Sequence, residues 1–102
     1  MEVSSDELRQ MVERLHACQA TLRRTSPVVE RFKGHITWAG IVQVFHLSGH
    51  PTATICYAWS SAAENSDRRR FYAVLRVPPI KTPVDAVRAS ILDDQRVTQL
   101  DA

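Results

Sequence analysis

Residues 36–59 read ITWAGIVQVFHLSGHPTATICYAW, two apolar runs on either side of Ser48-Gly49-His50-Pro51. Alternating apolar and polar residues around a short turn-forming cluster predict an antiparallel β-hairpin. With Ser48 to Pro51 as the loop, Leu47 lies opposite Thr52, and side chains sort onto two faces. One face carries Trp38, Gly40, Val42, Val44 and His46 with Ala53, Ile55, Tyr57 and Trp59. The other carries Ile41, Gln43, Phe45 and Leu47 with Thr52, Thr54, Cys56 and Ala58. In this register Gly40 stands across from Trp59, where the missing side chain leaves room for an indole.

Upstream, Leu8, Met11, Val12, Leu15, Cys18 and Leu22 recur at three- and four-residue spacing, which predicts a helix over about residues 5–24. Ser4 followed by Glu7 forms a capping box at its start. Ser26-Pro27 ends the helical pattern, because proline disfavours helical geometry in the residue before it. Val28 to Lys33 suits a short helical turn, with Pro27 at its first position and Gly34 just past its end. Val28, Val29 and Phe32 would also suit an edge strand, but one helical turn is the expectation.

Downstream, the polar run Ser60 to Arg69 reads as a connecting loop. Arg70 to Val77 then alternates, with Phe71, Ala73, Leu75 and Val77 on one side and Arg70, Tyr72, Val74 and Arg76 on the other. Pro78-Pro79 closes the strand, since neither residue can donate to a ladder. Thr82-Pro83-Val84-Asp85 opens a second helix, with threonine as the cap and Val84, Val87 and Ile91 inward.

The expected fold is therefore α+β: a helix, a three-stranded antiparallel meander and a second helix, with both helices on one face of the sheet. The tryptophan-bearing face, joined by Phe71 and Leu75, is the expected core. The face of Ile41, Phe45, Leu47, Tyr72 and Val74 is then open unless the C-terminal residues or Val28 to Phe32 fold over it.

At 102 residues the chain fits one domain. Its 44% hydrophobic and 24% charged residues exclude disorder, and its apolar runs are too short to span a bilayer. Met1 leads into Ser4, Ser5, Asp6 and Glu7 without an apolar signal segment, so a cytoplasmic location is expected. Cys18 and Cys56 each fall within an apolar pattern and read as reduced thiols. A net charge of +2 is too small to argue for nucleic acid unless the basic residues cluster.

No catalytic, metal or nucleotide motif stands out. His46, His50 and Cys56 gather around the hairpin, but His46 and Cys56 lie on opposite faces, whereas zinc needs converging ligands. His50-Pro51 reads as a turn, and Cys56 as packing rather than a nucleophile. None of Gly34, Gly40 and Gly49 is spaced as a phosphate-binding loop.

The expected function is a non-catalytic binding or regulatory module, without cofactor or metal, that uses the open sheet face to form a homodimer or dock a protein partner. Phe45 and Leu47 would be its apolar anchors, with Arg70, Tyr72 and Arg76 beside them. The alternative is nucleic-acid binding, with phosphate held by Arg23, Arg24, Arg31, Lys33, Arg68 and Arg69. Double-stranded RNA-binding domains share this element order, a fold-level analogy. A small-ligand pocket near Trp38 and Trp59 is a third option.

Overall fold

A computed structural model of the protein describes residues 4–62 and 69–91. Helix α1 spans Ser5–His16, and four strands follow: β1 Gln19–Phe32, β2 His35–Ser48, β3 Ile55–Ala62 and β4 Arg69–Leu75. A second helix, α2, covers residues 83–91. The strands form one antiparallel meander in the order β1-β2-β3-β4.

Both helix starts follow their caps. The Ser4 hydroxyl accepts from the Glu7 amide at 3.1 Å, and the Thr82 hydroxyl accepts from the Asp85 amide at 3.1 Å. Asp85 in turn accepts from the Lys81 amide at 3.0 Å, which closes the first turn of α2.

The sheet has four strands rather than three because α1 stops early. Ala17 takes the left-handed conformation after His16, and residues 19–32 pair with β2 along its whole length. The apparent helical stripe beyond that point does not face inward: Leu15 is 58% exposed and Leu22 39%. The competing demand comes from β2, whose Val42, Val44, Phe45 and Leu47 are all buried, so its backbone groups need partners on both sides. Lys33 (φ 52) and Gly34 (φ 80) supply the two-residue turn with both φ positive that joins twisted antiparallel strands. Residues 28–32 are therefore edge strand, not a helical turn and not a cover over the sheet.

The β2–β3 pairing keeps the expected faces but not the expected register. Phe45 pairs with Cys56, and the Leu47 amide donates to the Thr54 carbonyl at 2.7 Å, two residues from the anticipated partner. A two-residue slide preserves the faces within the paired strands, because the strand period is two, whereas Ala53, expected on the tryptophan face, precedes β3 and packs with the α1 cluster. Gly40 does make room for an indole, but for its own strand's Trp38: a Cβ at position 40 would lie 2.8 Å from that ring. Its cross-strand neighbour is Val28.

The two helices pack on opposite faces, not on one. Leu8 and Val12 of α1 join Ala20, Phe45, Leu47, Ala53, Cys56 and Ala58, with Phe71, Ala73 and Leu75 packed alongside. Ala86 and Val87 of α2 join Val28, Val42, Val44, Tyr57 and Trp59, with Trp38, Tyr72 and Val74 alongside. Phe71 and Leu75 thus face α1, and Tyr72 faces the tryptophans, the reverse of the expected assignment of β4. Each large apolar side chain so buried contributes roughly 1.5–3 kcal/mol, and two separate layers share that gain.

Candidate functional site

The residues expected to anchor a partner are mostly structural. Phe45 is fully buried and Leu47 is 3% exposed, both under α1. Tyr72 stacks on Trp59, centroids 5.1 Å apart and planes at 12°, and Trp59 meets Trp38 at 5.9 Å. This aromatic row belongs to the α2 layer, so the indoles expected beside a ligand pocket are core. Of the two remaining expected partner-binding residues, Arg70 is exposed on β4 opposite Ser61, and Arg76 continues the ladder by donating its amide to the Ile55 carbonyl at 2.9 Å.

Among the expected phosphate-binding residues, Arg23 and Arg24 do not share a surface with Arg31 and Lys33. Arg31 and Lys33 lie at the β1–β2 turn, whereas Arg23 and Arg24 lie midway along β1. Arg69 opens β4 opposite Ala62, and Arg68 falls outside the described residues. One grouping that the sequence did not reveal is Arg23 and Arg24 with Arg76, around a cavity of about 330 Å³ floored by Val44, Ile55 and Tyr57.

The histidines and cysteines serve the fold. Nδ1 of His50 accepts from the amides of Thr52 and Ala53 at 3.1 and 3.0 Å, holding the β2–β3 loop. His16 Nε2 lies 3.1 Å from the Ala73 carbonyl, and since a carbonyl only accepts, that nitrogen carries the proton. Among the described residues no group of three or more histidine, cysteine or acidic side chains is placed to hold a metal. Both thiols are free. Burial pushes the Cys56 thiol up to about 12, with the nearby Cys18 adding to the effect, and burial also raises Cys18. Thiols held protonated are poor nucleophiles.

An uncovered apolar surface exists, displaced from the expected one. The hairpin β1–β2 is longer than α1, which covers only the end near residues 20 and 47. Beyond it on the same face, Pro27 pairs with Ile41 and Val29 with Ala39. All four are exposed, Val29 at 53% and Ile41 at 54%. Beside them the Gln43 side-chain oxygen is buried with no hydrogen-bond partner among the described residues. An orphaned buried acceptor costs on the order of 1–3 kcal/mol. The sequence places Ile41 on an open face but not Pro27 and Val29, because Lys33-Gly34, the turn that sets them beside β2, has the pattern of a helix end as well.

The edge of β1 is better protected than its face. Glu13 of α1 accepts from the Ala20 amide at 2.9 Å while also bonding Arg9 at 2.8 Å. Pro27 has no amide hydrogen to offer, and a bulge interrupts pairing between Leu22 and Arg24. Each device discourages another strand from adding to the edge.

Comparison with protein-family models, with curated proteins and with solved structures gives no match. No helix among the described residues is long and apolar enough to cross a membrane.

Proposed function

We propose that the protein is a non-catalytic binding module that self-associates through the uncovered surface of Pro27, Val29, Ala39 and Ile41. The observation that carries this reading is the change along one sheet face: Phe45 is fully buried, yet Ile41, four residues away on the same side, is more than half exposed. A contiguous apolar patch on a small protein marks a contact site more often than scattered single residues do.

A second copy is the occupant this surface suits best. The patch has no charged side chain at its centre, so two copies can meet without like charges opposing each other. Blocking of the β1 edge favours association face to face, in the manner of packed sheets about 10 Å apart. A two-fold contact also uses one patch twice, which asks for self-complementarity rather than for a second specialised surface. The four side chains would form the centre of an interface that needs about 800 Å² per partner in all.

Sedimentation equilibrium tests the reading. The mass of the 11.5 kDa chain should double as concentration rises, and Ile41→Asp should remain monomeric with unchanged thermal stability. A wild-type chain that stays monomeric up to about 1 mM has an affinity too weak for a specific dimer.

Nucleic-acid binding ranks second. It asks for one continuous basic track, and Arg23 and Arg24 at the β1 bulge lie apart from Arg31 and Lys33 at the β1–β2 turn. Retention of RNA or DNA that falls steeply with salt would restore it.

A further inference from the structure

On the α2 face the packing gives out toward the end of the hairpin opposite the turn, and the space is the cavity ringed by Arg23, Arg24 and Arg76. No residue of α2 lines it. Its construction begins with the β1 bulge. Leu22 pairs with Phe45 and Arg24 with Val44, so Arg23 is an extra residue and two consecutive arginines oppose a single partner. In a regular strand neighbours point to opposite faces; a bulge turns two of them toward the same side, and bulges commonly re-aim side chains in this way. Arg76 lines the same space from beyond β4, placed by the hydrogen bond its backbone amide donates to the Ile55 carbonyl.

Three guanidinium groups around one cavity repel each other unless something compensates. Among the described residues nothing does. Asp6 and Glu13 hold Arg9, Glu30 holds Arg88, Asp85 holds the Lys81 amide, and Glu7 sits at the Ser4 cap. None of Arg23, Arg24 and Arg76 has a side-chain hydrogen bond or ion pair within the described residues. The floor below them is apolar: Val44, Ile55 and the ring of Tyr57, whose hydroxyl already donates to the Lys81 carbonyl at 3.1 Å.

We infer that this cavity is a binding site for a small organic phosphate monoester, with the phosphate held by Arg23, Arg24 and Arg76 and the apolar part of the ligand resting on Val44, Ile55 and Tyr57. Each guanidinium presents a planar fork that matches phosphate oxygens, and a dianion balances more of the charge than one carboxylate can. At about 330 Å³ the cavity lies at the small end of ligand pockets, which run from roughly 300 to 1,000 Å³. A compact molecule fits, and an extended polymer would leave the apolar floor unused. The site lies on the other face of the sheet from the association surface and does not depend on it.

Titration calorimetry at fixed ionic strength tests the inference, with phenyl phosphate, inorganic phosphate and phenol as probes. Phenyl phosphate should bind saturably with a dissociation constant of about 1 mM or below, inorganic phosphate more weakly, and phenol not at all. Arg24→Ala and Arg76→Ala should each weaken phenyl phosphate at least about tenfold, Arg24→Lys by less, and Arg14→Ala, on an exposed part of α1, should change nothing. Circular dichroism establishes that each variant is folded. Absence of saturable phenyl phosphate binding overturns the inference, as does binding indifferent to Arg24→Ala and Arg76→Ala. Preference for a single-stranded oligonucleotide, with equal losses in Arg14→Ala, would also overturn it in favour of diffuse polyanion attraction.

Discussion

The two ends of the β1–β2 hairpin have the same alternation and different fates. At the end near Ala20 and Leu47, α1 seals one face and the other opens on the arginine cavity. At the end near the Lys33-Gly34 turn, the arrangement inverts: Val28, Val42 and Trp38 pack with α2, Glu30 is tied to Arg88 of that helix at 2.9 Å, and no helix among the described residues covers the opposite face, where Val29 and Ile41 are exposed. The covers lie diagonally, and so do the two surfaces they leave. A strand's alternation therefore states that a face is apolar without stating whether anything will land on it. That is decided by the length and direction of the helices, which are non-local quantities.

The comparison breaks most visibly at Phe45 and Ile41, on one face of one strand. Phe45→Ala should lower stability by about 3–5 kcal/mol, since it empties a fully enclosed site, while Ile41→Ala should cost less than about 0.5 kcal/mol in the dilute monomer. Chemical denaturation of both variants measures the contrast, and equal costs would mean that α1 does not end where the structure places it. Gly40→Ala sharpens the other side of the same stretch. Its new methyl would press on the Trp38 ring at 2.8 Å, and the expected loss is about 1–3 kcal/mol with a change in tryptophan fluorescence. A silent Gly40→Ala would show that Trp38 swings aside freely and that α2 holds the turn end loosely.

Much of this architecture was legible because it depends on local chemistry. The caps at Ser4 and Thr82 are read from residues whose hydroxyls satisfy nearby amides, and both helices begin where those residues stand. The sorting of β2 and β3 onto two faces survived an error of two residues in register, because any even slide leaves it intact. Sheet side chains failed to sort where parity had to be carried across a connection. Between β3 and β4 an offset of one residue exchanged the sides, so Tyr72 was expected on an open surface and instead stacks on Trp59.

The sequence pattern departs furthest from the structure over residues 17–32. Leu15, Cys18 and Leu22 have helical spacing, and Gly34 is as good a helix stop as a hairpin turn. Backbone demand on β2 settled the competition, and that demand is visible only once β2 is known to be buried on both faces. The arginine cavity was hidden for a related reason. Arg23 and Arg24 are adjacent in sequence and would point apart in a regular strand; one inserted residue in the pairing turns them together, toward an arginine 52 positions away in the chain.

Thiol accessibility probes the diagonal arrangement most directly. With Cys18 and Cys56 replaced by alanine, single cysteines are introduced as Ile41→Cys and Leu47→Cys, and the rate of maleimide labelling is measured at a dilution where the chain is monomeric. Ile41→Cys should react at nearly the rate of an unstructured thiol, and Leu47→Cys, beneath α1, should be slowed by on the order of a hundredfold or more, as for a group that reacts only through local opening. Comparable rates at the two positions would contradict the account, because one face of β2 would then be covered, or bare, from end to end.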